Sequence, residues 1–205
     1  MLLRKERLMH IAAFQSVSLN EYTGHLSAIV FTQGCDFRCS YCHNPELQRD
    51  LGPGEDGYKD LISGDEVLER ISKLKGKIEA VTITGGEPLI WIDLEVFMKK
   101  VKDMGLLVKL NTNGSSFYRL KRIIDKGLVD YVDMDIKAMP DNYRKVVCSD
   151  NIDMDGVKKS VEYLKSSGVD HIFTTVWDED LLTEMDKEYI IEWVGSSQHE
   201  MREKI

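Results

Sequence analysis

Gly34-Cys35-Asp36-Phe37-Arg38-Cys39-Ser40-Tyr41-Cys42-His43-Asn44-Pro45 puts three cysteines in one short loop, spaced Cys-x3-Cys-x2-Cys, directly after the apolar run Ala28-Ile29-Val30-Phe31. Cysteine thiolates are the usual ligands of iron–sulfur clusters, and three on one loop can bind three irons of a cubane. The fourth iron is then left without a protein ligand nearby. An open position on a metal marks chemistry rather than bracing, the same logic that separates catalytic from structural zinc sites. Two plainer readings compete. A structural zinc needs four ligands, which Cys35, Cys39, Cys42 and His43 would supply, but the adjacent Cys42 and His43 chelate one ion awkwardly. A disulfide leaves an odd cysteine and needs an oxidising compartment, of which the sequence gives no sign.

Outward from this loop the chain alternates short β-type runs with amphipathic helical runs. Strand patterns cover 28–31, 80–83, 106–110, 131–136 and 171–176, with a possible leading strand at 11–17. Helical patterns cover 63–74, 94–101, 116–126, 153–167 and 187–194, each with apolar residues three and four apart facing one side. Ser63, Asp93 and Ser116 are candidate N-caps. Gly105, Gly127 and Gly168 follow helical patterns as helix-closing glycines. Strand–helix alternation implies parallel strands with right-handed crossovers. The strand runs read as apolar throughout, as expected when helices cover one face of the sheet and side chains fill the other. Ligands of parallel α/β folds sit at the carboxyl ends of the strands. The cysteine loop, Thr84-Gly85-Gly86-Glu87-Pro88, Asn111-Thr112-Asn113-Gly114, Asp135-Ile136-Lys137 and Thr174-Thr175 all fall there and converge on one expected site.

The 205 residues suffice for one domain over 1–205, with a core at about 11–195 and a charged tail, 196–205, that is expected to fray. Lys and Arg number 27 against 35 Asp and Glu, a net charge of −8. That balance argues against a nucleic-acid partner, which calls for a basic patch. No apolar stretch approaches the roughly 20 residues of a membrane span. The charged start, 1–7, lacks a signal peptide's apolar segment, so the expected location is cytoplasmic. Cys148, beside Val146-Val147, reads as a half-buried apolar residue rather than a ligand. His10, His25, His171 and His199 show no partner spacing and read as structural or surface residues.

Cys35, Cys39, Tyr41 and Cys42 resemble the Cys-x3-Cys-x-aromatic-Cys signature of the radical S-adenosylmethionine enzymes. The extension Cys42-His43-Asn44-Pro45 resembles the activating enzymes of glycyl radical enzymes. The stretches Ser18-Leu19, Thr23-Gly24, 31–35 and Asn44-Pro45-Glu46-Leu47 resemble one branch of these, the anaerobic ribonucleoside-triphosphate reductase activating proteins. The resemblance is close over 11 to about 50 and looser, but collinear, to about 175. It implies a partial parallel βα barrel of about five to six βα units. It also implies a [4Fe-4S] cluster on Cys35, Cys39 and Cys42, whose open iron chelates S-adenosylmethionine and whose reduced form cleaves it to a 5′-deoxyadenosyl radical. The implied partners are a large glycyl radical enzyme, anaerobic ribonucleotide reductase above all, and a flavodoxin-type electron donor.

Gly85-Gly86-Glu87-Pro88 alone would read as a tight turn. It resembles the family's Gly-Gly-Glu-Pro motif, which implies that Gly85, Gly86 and Glu87 hold the methionyl ammonium. Asp135-x-Lys137, otherwise a local ion pair at a strand end, is implied to hold the ribose and carboxylate. Asn113, otherwise part of an Asn-Gly turn, is implied to face the cofactor. Tyr41 is implied to work through its backbone near the adenine with its ring as packing, and His43 to tune the cluster rather than ligate it.

Two departures stand out. Relatives often carry an arginine where this chain has Phe173, which either shifts anchoring onto Lys137 or leaves the cofactor more weakly held. They also continue into a sixth strand, where this chain is expected to end in a helix and charged tail, leaving an open barrel edge. Two other functions compete: a radical enzyme acting on a small molecule, in the manner of 7-carboxy-7-deazaguanine synthase, and a non-catalytic iron–sulfur or zinc module. The synthases lack the His-Asn after the third cysteine. An electron-transfer module has no use for an open iron or for the two later motifs.

Overall fold

The computed structural model describes residues 8–52, 54–149 and 152–203; the expectations for 1–7 and for the last two residues of the tail lie outside the described residues. The elements run β1 (His10–Ser18), β2 (Ser27–Thr32), β3 (Ile62–Ser63), α1 (Gly64–Ser72), β4 (Ala80–Gly85), α2 (Leu94–Asp103), β5 (Leu107–Thr112), α3 (Phe117–Asp125), β6 (Tyr131–Asp135), α4 (Tyr143–Val147), α5 (Met154–Ser167), β7 (Asp170–Trp177), α6 (Glu184–Val194) and β8 (His199–Glu203). One sheet carries all eight strands in the order β3-β1-β2-β4-β5-β6-β7-β8. From β2 to β8 every pairing is parallel, while β1 runs antiparallel to β2 and β3 at one edge. This is the incomplete parallel βα barrel expected of the sequence.

Two local codes build it. Ser63 caps α1 by accepting from Glu66 N at 3.2 Å, and Asp153 caps α5 by accepting from Gly156 N at 2.9 Å. Thr183 and Asp186 form a capping box on α6, which starts three residues before its expected 187. Asp93 and Ser116 make no side-chain cap bond. Asp93 instead accepts from Met9 N at 2.8 Å, tying the chain before β1 to the start of α2. On the helix-facing side of the sheet, Val30, Ile83, Leu110, Val132, Met134 and Phe173 are fully buried under Ile71, Met98, Val101, Leu120, Val161 and Ile190. Each such aliphatic chain contributes about 1.5–3 kcal/mol.

The inner face is different and corrects the reading of uniformly apolar strands. Lys109 and Asn111 on β5, Asp133 and Asp135 on β6, Thr174 on β7 and Glu200 and Arg202 on β8 alternate with the apolar residues of the other face. Helices cover one side of this sheet, as expected, but the side chains that fill the other are polar, so period-two alternation returns.

The chain's end is a second correction. Residues 196–203 do not fray. They form a helical turn and then β8, which pairs in parallel register with β7 from Phe173↔His199 to Trp177↔Glu203. The sixth parallel strand is therefore present. Its charges hid it, since Arg202 pairs with Glu200 at 2.8 Å and neither needs an apolar partner. Phe173 is a third correction. It lies fully buried on the helix-facing side, so an arginine in its place would not face the barrel interior. Helix α4 was not expected, and Cys148, which ends it, is exposed rather than half-buried.

Candidate active site

Loops at the carboxyl ends of the parallel strands enclose a cavity of about 270 Å³. Cys35, Cys39, Cys42, Tyr41, His43, Gly85, Gly86, Asn113, Asp135 and Lys137 all line it, so the structure brings together ten of the eleven expected site residues. The exception is Glu87.

The cysteine loop is fastened by side chains that spend themselves on backbone carbonyls. Gln33 Nε2 donates to Glu46 O at 2.9 Å and Arg49 O at 2.6 Å, and Trp91 Nε1 donates to Gln33 O at 2.9 Å. Gln48 Nε2 donates to Cys39 O at 2.9 Å, and Arg38 Nη1 to Cys35 O at 2.6 Å. Arg38 N also donates to Val147 O, so α4 braces the loop from outside. The three cysteines are free thiols. Burial, with Glu87 and Asp36 close by, holds the Cys35 thiol well above its ordinary range. Burial pushes Cys39 up to about 11, with the Lys137 ammonium acting against it. Cluster binding therefore releases protons here.

Gly86 is where two loops touch. A Cβ on it would lie 1.9 Å from Gly34 O and 2.9 Å from Leu47 O. Gly85, at φ +110°, would put a Cβ 2.4 Å from Thr32 N. Only hydrogen fits at either position, which brings the backbone of the second motif against the cysteine loop.

Glu87 departs from the expected direct contact with a ligand ammonium. It is 1% exposed and does not line the cavity. Its Oε1 accepts from Thr112 Oγ1 at 2.7 Å and Leu89 N at 2.9 Å, and its Oε2 from Asn113 N at 2.7 Å. Asp36 does a similar task from the cysteine loop, accepting from Asn113 Nδ2 at 2.8 Å and Ser115 Oγ at 2.6 Å. Two carboxylates thus clamp the 112–115 turn between the first two motifs. Burial and then Asp36 push the Glu87 carboxyl up to about 8, against the pull of its three donors.

This shift has a sign. Glu87 binds its proton more tightly folded than unfolded, so the stability it supplies is complete below its ordinary value of 4.5 and is lost as pH rises through about 8. Thermal unfolding of the metal-free protein is expected to show a midpoint falling across that window. Glu87→Gln, which has no proton to lose, flattens the fall. Equal slopes for parent and variant contradict the assignment.

Asp135 Oδ2 and Lys137 Nζ pair at 3.0 Å on the cavity wall, and the ammonium sits 5.7 Å from the centre of the Tyr41 ring. Burial pulls the Lys137 pKa down, but Asp135, Tyr41 and Cys39 together outweigh it and hold the ammonium well above its ordinary range. Tyr41 is buried with its hydroxyl unpartnered. Of the remaining wall residues, Glu21, Asp133 and Arg202 carried no sequence signal beyond the Asp133-x-Asp135 alternation.

The residues fit the implied cofactors. No group of three or more His, Cys, Asp or Glu among the described residues converges on a point that would hold one metal ion. The three thiols face a shared volume instead, as ligands on three separate irons do. Beside them lie a close-approach glycine backbone, a carboxylate, an ammonium and an unpartnered phenol, matching a zwitterionic, ribose-bearing ligand.

Comparison with known proteins agrees. A Methanocaldococcus jannaschii protein named, provisionally, as a glycyl-radical enzyme activating enzyme is 29% identical over 138 residues, 67% of this chain and 54% of the relative. A Thermococcus kodakarensis protein named with the same reserve as a GTP 3′,8-cyclase is 31% identical over 139 residues, 66% of this chain and 43% of the relative. The pyruvate formate-lyase-activating enzyme of Clostridium pasteurianum is 28% identical over 172 residues, 82% of this chain and 66% of the relative. The chain spans about half the length of the curated relatives it matches.

Among solved structures, Streptococcus suis SuiB bound to precursor peptide SuiA superposes with a TM-score of 0.65 at 12% identity, over 86% of this chain and 38% of that one. Escherichia coli QueE superposes at 0.53 and 13% identity, over 95% of this chain and 93% of that one. The family model described as the Radical SAM superfamily matches residues 29–190, most of the fold and every strand from β4 to β7, and the chain belongs to that superfamily.

Proposed function

We propose that this chain is an activating enzyme that makes a glycyl radical on a large partner protein, an anaerobic ribonucleoside-triphosphate reductase, with electrons from a flavodoxin-type donor. One observation carries the reading: collinear similarity to glycyl-radical and pyruvate formate-lyase activating enzymes over 67% and 82% of the chain. It is reinforced by Cys42-His43-Asn44-Pro45, whose His43 and Asn44 both line the cavity. We take residues 1–205 as a single domain for this task.

Cys35, Cys39 and Cys42 would hold the cluster, with S-adenosylmethionine at the open iron. That pair supplies, when bound, removal of a hydrogen atom from an unactivated C–H bond. The rest falls to the chain's own groups. The Gly85-Gly86 backbone would receive the cofactor's ammonium. Lys137 would donate to its carboxylate as a point charge, and Asp135 would accept from a ribose hydroxyl. Tyr41 packs beneath Lys137, and His43 and Asn44 limit water around the sulfurs.

The test is direct. Anaerobically reconstituted protein, given dithionite and S-adenosylmethionine, should form 5′-deoxyadenosine. Adding a purified anaerobic ribonucleotide reductase should produce a glycyl radical doublet by electron paramagnetic resonance. Deoxyadenosine without a doublet rules out that partner.

A second reading has its own support in the relative named as a GTP 3′,8-cyclase. On it, the chain performs radical chemistry on a small molecule enclosed over the cluster. Turnover of guanosine triphosphate by the reduced enzyme would decide for it.

A further inference from the structure

The barrel interior holds more polar chemistry than the cofactor residues use. Glu21, Asn111, Asp133, Thr174 and Arg202 line the same cavity as the thiols. In a closed barrel these positions are filled by branched apolar side chains. Most of this group is matched internally. Lys109 Nζ donates to Glu21 O at 2.8 Å and to Asp133 Oδ2 at 3.2 Å, and Thr174 Oγ1 donates to Asp133 Oδ1 at 2.7 Å. Asp133, 4% exposed, has both oxygens engaged and still lies 3.7 Å from Arg202 Nη2.

Two groups stay open. Asn111 Oδ1 is buried without any donor, and its Nδ2 reaches only Thr84 Oγ1 at 3.4 Å. Arg202, half-exposed, gives one N–H to Glu200 at 2.8 Å and has further donors on its fork. A buried acceptor left unmade costs about 1–3 kcal/mol, so a site that keeps one has a use for it.

We infer that Asn111 and Arg202 are the two ends of a subsite for the backbone of the glycine-bearing substrate peptide. Asn111 Oδ1 accepts a peptide N–H, and the Arg202 guanidinium donates to a peptide C=O. Asp133, fixed by Lys109 and Thr174, is a positioning residue that aims Arg202. The inference rests on the activating-enzyme reading above. Arg202 reaches back from β8 to within 3.7 Å of Asp133, the register partner of Asn111, so the two groups stand about one inter-strand step of roughly 4.8 Å apart. One residue of an extended backbone turns its N–H and C=O to the same side, so a single peptide unit meets both groups at once.

The test uses the reconstituted holoenzyme with S-adenosylmethionine, titrated anaerobically by calorimetry with a blocked nine-residue Ser/Ala peptide bearing a central glycine. Asn111→Ala and Arg202→Ala should each raise the peptide Kd roughly tenfold, the loss of one charge-assisted or buried bond. Arg202→Lys should recover part of the loss. Glu203→Ala, on the other face of β8, should leave the Kd unchanged. Asn111→Ala should also leave the metal-free protein at least as stable as the parent, since it removes an unpaired acceptor; a merely structural asparagine would lose stability instead.

A parent that binds peptide with both variants unchanged overturns the subsite and leaves the activating reading standing. A parent that binds guanosine triphosphate but not peptide, with both variants losing it, overturns the peptide assignment and the activating reading together. A parent that binds neither overturns the subsite, and the glycyl radical doublet on the protein partner then decides the activating reading separately.

Discussion

Cys35→Ala, Cys39→Ala and Cys42→Ala are each expected to abolish a cluster that the anaerobically reconstituted parent holds at about four irons and four sulfides per chain. The three thiols line one cavity and no fourth cysteine shares it, so losing one leaves two protein ligands for the cubane. His43 also lines the cavity, but next to Cys42 in the chain it would chelate awkwardly and would not replace a lost thiolate. Cys148 lies exposed at the end of α4, and Cys148→Ala should keep the full iron and sulfide content. Iron and sulfide analysis checks all four variants. Full retention in any of the first three removes that residue from the ligand set, and one zinc in place of iron ends the radical reading.

The second large effect is expected from a methyl group. In Gly86→Ala the new Cβ would overlap Gly34 O at 1.9 Å and Gly34 C at 2.6 Å, with Leu47 O at 2.9 Å behind them. All three are backbone atoms, so no side chain can swing aside. Gly34 is itself pinned, since its N donates to Leu47 O and its O accepts from Glu87 N, each at 2.8 Å. The two loops must separate, breaking those bonds. The cost should reach about 3–5 kcal/mol, the range of severe overpacking combined with lost buried hydrogen bonds. Gly105→Ala is the control. Nothing lies within 4 Å of its Cβ, but its φ of +81° is strained for alanine, so about 1 kcal/mol is expected. Urea unfolding of the metal-free variants measures both. A Gly86→Ala loss no larger than that of Gly105→Ala would show that the loops are not held where the structure puts them.

What the sequence made legible follows the physics of each segment. The cysteine loop, Gly85-Gly86 and Asp135-x-Lys137 were readable because their residue types carry chemistry by themselves, and the βα alternation placed them at one mouth. The interior polar row was not. Lys109 and Asp133 sit in runs dominated by valine, leucine and methionine, and their alternation registers only once their polar partners across the interior are known. β8 was illegible for the opposite reason, since His199-Glu200-Met201-Arg202-Glu203 looks like a solvated tail until Arg202 meets Asp133 across the barrel. The role of Glu87 was misjudged because a motif gives a residue's place in the chain but not its rotamer. Its carboxylate turns down into the 112–115 turn, and only the hydrogen bonds of Thr112 and Asn113 reveal it.

The fastenings of the cysteine loop bear on what its cysteines are needed for. Gln33, Gln48, Arg38 and Trp91 all hold it through bonds to the protein's own carbonyls, none of which involves a sulfur. Zinc fingers, by contrast, exist as folded domains only once their metal is bound. Here the bonds that shape the loop are made by side chains other than the ligands. Replacing one cysteine therefore removes a ligand and leaves every one of those fastenings in place, so a variant that fails to hold iron should still give the parent's pattern of amide protection along the loop.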